Sequence, residues 1–117
     1  MIFEFHIGGF YGSSFSLIAE EFTLTCEVQG NPDGTRVEVI QLADNPNWDE
    51  LMLFLSKAKW KESYDNPNVL DGTGWDLSVD TTSFVLESGG SNGYPRGFNK
   101  FLKLVNAVTA EKGITLF

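Results

Sequence analysis

FTLTCEVQ, residues 22–29, alternates strictly between apolar and polar side chains. A two-residue period is typical of a β-strand with one buried face. Residues 30–34 contain the Gly, Asn, Pro and Asp that form tight turns, and residues 36–42 return as a partner strand. The alternation slips at Val39-Ile40, which indicates a bulge or a strand covered on both faces. This segment therefore predicts a β-hairpin.

Further strands flank the hairpin. Residues 2–7 and 15–19 predict two strands before it, and residues 74–80 and 83–87 predict two strands later in the chain. With one helix after the hairpin and one near the end, the predicted order is β-β-β-β-α-β-β-α. The short connections favour an α+β fold: an antiparallel sheet of about five to seven strands, with two helices packed on one face. The length suits a single domain over residues 1–117.

Both predicted helices have recognisable ends. Asn47 is the predicted N-cap of the first helix, with Glu50 three residues later as its capping-box partner. Tyr94-Pro95 opens the second helix, since proline is tolerated in a first turn, and Gly113 ends it.

The segments between these elements predict loops, with one more strand at the end. Residues 62–74 show no period, residues 114–117 suggest a short terminal strand, and residues 88–93, SGGSNG, predict a flexible loop before the second helix. A glycine-rich loop at a helix start beside Arg96 suggests an anion site. The segment matches neither G-x-G-x-x-G nor the P-loop, so a capping loop is favoured.

Charge is unevenly distributed along the chain. Acidic residues outnumber basic ones by sixteen to eight, for a net charge of −8, and residues 1–56 hold nine of the acids and one of the bases. The outer face of the sheet is predicted to carry Glu4, Thr23, Thr25, Glu27, Arg36 and Glu38. Such a negative face steers a basic partner towards it, although many acidic faces only keep a protein soluble.

Composition excludes several classes of function. The net charge of −8 argues against direct nucleic-acid binding, which needs clustered Lys and Arg. No apolar run is long enough for a membrane span, and residues 1–4 lack the basic region of a signal peptide. A single cysteine, Cys26, forms no internal disulfide. Together these points predict a cytoplasmic protein.

YDNPNVLDGTGWDL, residues 64–77, is followed by GSNGYP at 90–95 and by Phe98. This combination resembles the pattern Y-x-N-P-x-x-x-D-G-T-x-W-x-L … G-S-N-x-Y-P-x-x-F of a set of small uncharacterised bacterial proteins. Residues 8–12, GGFYG, and the helix end around Trp60 are also similar, so the resemblance covers most of the chain. It departs at Gly74, where the family more often has Gln. It implies a bacterial origin and a single domain. It implies no mechanism, because the family has no assigned activity.

Nucleophilic catalysis finds little support. The only imidazole, His6, shares a strand face with Glu4, and Cys26 lies on an apolar strand face, where thiols are usually inert. One His and one Cys far apart in sequence do not make a zinc site. The sequence therefore favours a non-enzymatic function and predicts no catalytic residue, metal or cofactor.

Carboxylates in the second half offer an alternative. Asp65, Asp71, Asp76 and Asp80 are close in sequence, and a hard cation takes several such oxygen ligands. Their spacing does not fit an EF-hand, and Asx residues beside Pro and Gly commonly form turns. Turn formation is favoured. A small-molecule- or metal-binding site, with or without catalysis, requires Asp65, Asp71 and Asp76 to converge on one cleft.

Large aromatic residues near loop edges give a second candidate surface. Amphipathic aromatics beside Asp, Asn, Ser and Gly are typical of binding surfaces, although a small core also needs them, and Trp75 is expected there. An aperiodic loop as long as residues 62–74 supports a binding role. The candidate binding residues are Tyr11, Trp60, Tyr64, Asp71, Trp75, Ser91, Asn92 and Tyr94.

The leading hypothesis is a non-enzymatic protein-interaction module of the inhibitor or immunity type. It would bind a protein partner through one of two surfaces. The acidic face (Glu4, Glu27, Glu38) would take a partner with a basic surface, and the other candidate surface consists of the aromatic and Asx loops. The alternative is the small-molecule or metal site at residues 65–76. A third possibility, nucleic-acid mimicry, requires carboxylates spaced like phosphates.

Overall fold

The computed structural model describes residues 1–9, 13–30, 34–66 and 72–114. Within these residues the chain forms seven strands, two α-helices and one short 3₁₀ turn. In chain order they are β1 (Ile2–Gly9), β2 (Ser14–Glu20), β3 (Thr23–Gly30), β4 (Gly34–Gln41), α1 (Pro46–Lys57), β5 (Ser63–Asp65), β6 (Thr73–Asp80), β7 (Val85–Ser91), α2 (Phe98–Thr109) and the 3₁₀ turn Ala110–Lys112.

All seven strands form one sheet in the order β4-β3-β2-β1-β6-β7-β5. Every neighbouring pair is antiparallel except β5 and β7, which run parallel. The predicted α+β class, the antiparallel sheet and the two helices are confirmed. Strand β5 is absent from the predicted order because its three residues show no period and its partner lies far along the chain.

Both helices pack on the same face of the sheet. Phe3 and Phe5 of β1 are fully buried there. The ring of Phe3 meets Trp48 of α1 edge-on, with centroids 4.9 Å apart, and the ring of Phe5 meets Phe101 of α2 in the same way at 4.9 Å. The molecule is only 20 Å thick along its shortest axis, which fits one sheet and one helical layer.

The first helix is capped by Asn45 rather than by the predicted Asn47. The Asn45 Oδ1 accepts a hydrogen bond from the Trp48 backbone N–H at 3.1 Å, and Pro46 occupies the first helical position. Proline suits that position because its fixed φ is helical and its missing N–H is not needed, which places the cap one residue before it. Asn47 therefore lies inside the first turn.

The second helix begins at Phe98, later than the predicted start at Tyr94-Pro95. Gly97 precedes it with a φ of 88°, in the left-handed region that favours glycine. Gly113, with a φ of 68°, caps the 3₁₀ turn that follows the helix, as its position in the sequence predicts. Ile114 is not part of a strand, and residues 115–117 of the predicted terminal strand lie outside the described residues.

Strand β7 continues through most of the segment predicted as a flexible loop. A Cβ added at Gly90 would lie 2.5 Å from the carbonyl oxygen of Gly93 and 2.8 Å from the indole nitrogen of Trp75, and it would also collide with the carbonyl oxygen of Tyr64. The glycine is therefore required by close packing inside a strand, so the prediction of a flexible loop over residues 88–91 was wrong.

Strand β4 contains no bulge. It pairs with β3 in continuous register from Gly34 to Gln41. The break in alternation at Val39-Ile40 arises because Val37 and Val39 point away from the helices, where they are 54% and 45% exposed. The sequence of β4 therefore has apolar residues at successive positions, as a strand buried on both faces would, although these two valines are exposed to solvent.

Candidate interaction surface

The sheet face opposite the helices is called the open face here. Directly paired residues on neighbouring antiparallel strands point to the same face, so the register assigns each side chain. Glu4 pairs with Ile18 on one side and with Ser78 on the other. Because Glu4 lies between the buried Phe3 and Phe5 on β1, its side chain and those of its two partners point away from the helices. Seven carboxylates occupy outward positions on this face: Glu4, Glu20, Glu27, Asp65, Asp76, Asp80 and Glu87.

Two residues predicted for this face lie on the other one. Glu38 pairs directly with the buried Cys26, and Arg36 pairs with Val28, so both point to the helix side. The Arg36 Nε approaches the Glu38 carboxylate to 3.4 Å, and its Nη2 donates to the carbonyl oxygen of Lys112. The prediction that Arg36 and Glu38 join Glu4 and Glu27 was wrong because the exposed valines of β4 take the outward positions.

None of the eight basic residues, all of which lie in the described part of the chain, occupies an outward strand position on the open face. Arg36 points to the helix side, as described above. The other seven lie at or just after the end of α1, or in and beside α2: Lys57, Lys59, Lys61, Arg96, Lys100, Lys103 and Lys112. The second half of the chain is neutral in sequence, yet it adds Asp65, Asp76, Asp80 and Glu87 to the open face. Folding therefore separates charges that are mixed in the sequence.

Hydrogen bonds tie several polar side chains together across the open face. The Gln29 amide donates to a Glu27 carboxylate oxygen at 2.7 Å and accepts from the Ser14 hydroxyl at 3.4 Å. The Ser78 hydroxyl donates to Glu87 at 3.5 Å. These contacts already restrict the side chains, so less conformational entropy would be lost if a partner bound to this face.

Ser16, His6 and Asp76 lie side by side on β2, β1 and β6. The His6 Nδ1 is 2.8 Å from the Ser16 hydroxyl oxygen, a juxtaposition that the sequence analysis missed because it depends on strand pairing. Catalysis by such a group also needs donors for an oxyanion. All three strands have a neighbour on each side, so the ladder uses their backbone N–H groups. The contact links the His6 and Ser16 side chains of β1 and β2 on the open face.

Most of the predicted aromatic candidates are packing residues. Trp75 is 4% exposed, and its indole N–H donates to the Gly93 carbonyl at 2.8 Å. The Trp60 indole N–H donates to the Arg96 carbonyl at 3.2 Å, and its ring lies 6.0 Å from that of Trp75. Tyr64 stacks on Trp75 at 6.3 Å. These rings anchor the segment that leads into α2.

Tyr94 differs from the other described aromatic candidates because it is 44% exposed. It lines an open, mainly apolar groove of about 510 Å³ beside the start of α2, together with Ile7, Thr73, Pro95, Phe98 and Leu102. Tyr11 lies outside the described residues.

The Asx residues near β5 bind the chain's own backbone. One Asp65 carboxylate oxygen accepts from the Ser91 N–H at 3.1 Å, and the other accepts from the Ser63 hydroxyl at 3.1 Å. The Asn92 side-chain oxygen accepts from the Thr73 N–H at 2.9 Å. These bonds join the ends of β5, β6 and β7. Asp71, the third member of the predicted cleft, lies outside the described residues.

Two kinds of feature are absent from the described ranges: a side-chain cluster that could hold a metal ion, and a helix that could span a membrane. No group of three or more His, Cys, Asp or Glu residues in this part of the chain is placed to hold a metal ion. No helix among the same residues is long and apolar enough to cross a membrane.

Comparison with known proteins gives no relative from which a role can be transferred. No protein-family model, no curated protein sequence and no solved structure matches the chain. The resemblance to small bacterial proteins stays a prediction.

Proposed function

We propose that this protein is a non-enzymatic, cytoplasmic interaction module whose open face binds a protein partner with a basic surface. The observation that carries the proposal is the charge separation: seven carboxylates at outward strand positions, with every Lys and Arg residue elsewhere. A surface of one sign steers an oppositely charged partner and disfavours partners of like charge.

The make-up of the open face supports a protein partner. Interfaces combine apolar contacts with polar ones, because buried apolar area provides much of the affinity. Exposed apolar side chains lie among the carboxylates of the open face at Ile2, Ile18, Val37, Val39 and Val85. A nucleic acid is disfavoured as the direct partner because its phosphates carry the same sign as the face.

The alternative of a small-molecule or metal site at residues 65–76 has weaker support. Both Asp65 carboxylate oxygens already accept hydrogen bonds from neighbouring groups, and Asp76 points outward from the middle of the sheet. Neither residue lines the groove beside α2.

Charge reversal with a matched control tests the proposal. The face variant carries Glu4→Lys and Glu27→Lys, and the control carries Glu50→Lys and Glu111→Lys, which are exposed positions on α1 and the 3₁₀ turn. Both variants change the net charge equally. Each protein is used as bait in lysate of the source cell, and captured proteins are quantified by mass spectrometry.

We expect a basic protein that the wild type and the control recover and the face variant loses. Equal recovery by all three baits would contradict the proposal. So would a captured set that contains no basic protein.

A further inference from the structure

Strand β4 forms a long edge of the sheet. It has eight residues and pairs with β3 on one side, while no described strand lies on its other side. The opposite edge, β5, is only three residues long. Native proteins usually protect edges with short strands, bulges, proline or lysine. Strand β4 has none of these four features, and the charged residues that it carries instead are Arg36 and Glu38.

Its side chains are also exposed. On the open face, Val37 and Val39 are 54% and 45% exposed. On the helix side, Arg36 and Glu38 keep 51% and 32% of their side-chain surface in solvent. Charges pointing to the inner side of an edge block pairing with an unrelated strand, because they would be desolvated without partners.

The order Arg36-Val37-Glu38 is self-complementary. If two copies of β4 pair antiparallel about a twofold axis at Val37, the two Val37 side chains face each other on the open face. Arg36 of each copy then lies directly opposite Glu38 of the other, on the helix side. Opposite charges in directly paired positions stabilise a sheet, and like charges destabilise it.

We propose that two copies of this chain associate through β4 in this register, so that the two sheets become one. The arrangement is isologous, as closed dimers require. It leaves the open face uncovered and doubles its width, with Val37 of both copies at the junction. The proposal does not depend on which partner the open face binds.

A pair of complementary charge variants tests it. In Arg36→Glu both positions are acidic, and in Glu38→Arg both are basic, so self-association places like charges opposite each other. We expect the dimer of each single variant to be weaker than that of the wild type by about tenfold or more. A mixture of the two variants places opposite charges at every pair, and we expect it to recover association as a heterodimer.

Sedimentation equilibrium over a concentration series at physiological ionic strength measures the dissociation constants. Circular dichroism checks that each variant is folded, and Glu50→Arg on α1 serves as a control with the same charge change as Glu38→Arg. A wild type that stays monomeric up to millimolar concentration would overturn the proposal. So would single variants that dimerise like the wild type, or a mixture of folded variants that fails to associate.

Discussion

Cys26 and Glu38 are direct partners across β3 and β4, on the side of the sheet that the helices cover. Burial first, and then the nearby carboxylates of Glu38 and Glu111, together raise the pKa of the Cys26 thiol to about 11. Each cause disfavours the thiolate: burial removes its hydration, and the carboxylates repel its charge.

The raised pKa predicts a loss of stability at alkaline pH. The folded state holds the thiol proton up to about pH 11, whereas the ordinary pKa is 9.0, so between these values the folded state binds more protons. This contribution to stability is therefore complete below pH 9 and is lost as the pH rises towards 11. The expected loss is up to about 3 kcal/mol.

Urea unfolding of the wild type and of Cys26→Ala at both ends of this range measures that loss. Lysine and tyrosine titrations are shared by the two proteins, so the thiol contribution is the difference between their pH dependences. Parallel pH dependences would mean that Cys26 does not retain its proton in the folded state.

Gly90→Ala is expected to destabilise the protein by several kcal/mol. Its Cβ would collide with the carbonyl oxygens of Tyr64 and Gly93, which belong to the backbone and cannot turn aside. Gly74→Ala, on the adjacent strand, is the matched control because its Cβ would lie 4.0 Å from the carbonyl oxygen of Gly90, at ordinary contact distance. We expect the control to change the free energy of unfolding by only about 0.5 kcal/mol. Similar values for the two variants in urea titrations would refute the steric explanation.

Trp75 is expected to stabilise the protein in two separable ways. Trp75→Phe removes the hydrogen bond to the Gly93 carbonyl and is expected to cost about 1–3 kcal/mol. Trp75→Ala also removes the ring contacts with Tyr64, Trp60 and Phe98, and is expected to cost about 3–5 kcal/mol. Chemical unfolding monitored by far-UV circular dichroism measures both. A Trp75→Ala variant as stable as the wild type would contradict a stabilising role for the Trp75 ring.

The two asparagines at the start of α1 allow a sharp comparison. Asn45→Ala removes the N-cap and is expected to cost about 1 kcal/mol, whereas Asn47→Ala leaves the cap bond to Trp48 intact and should be near neutral. Thermal or urea unfolding of the two variants distinguishes the caps. A larger loss of stability in Asn47→Ala than in Asn45→Ala would identify Asn47 as the N-cap instead.

Local patterns predicted much of this fold because the residues that determine them are neighbours in sequence. The alternation of Leu24, Cys26 and Val28 requires only that one strand face be buried, and the described structure agrees. Strand β5 and the extension of β7 through Gly90 depend on a close approach between distant segments, which leaves no period in the sequence.

The candidate site was predictable only in part for the same reason. Glu4 and Glu27 alternate with buried neighbours on their own strands, so their outward positions follow from sequence. The contribution of Asp76 and Glu87 depends on the central position of β1 in the sheet and the pairing of β6 beside it. Trp60 and Trp75 are large aromatics with a polar N–H group, a combination typical of binding residues. In the structure, backbone carbonyls of the segment before α2 accept hydrogen bonds from both indole N–H groups.

The proposed binding of a basic protein partner to the open face can be measured in solution. The most direct test is the affinity of the captured partner for the wild type, the Glu4→Lys/Glu27→Lys variant and the Glu50→Lys/Glu111→Lys control, measured by titration calorimetry at two salt concentrations. Binding through the open face predicts a large loss of affinity in the face variant only, and weaker wild-type binding at the higher salt concentration. Equal affinities for the face variant and the control would contradict the proposed binding.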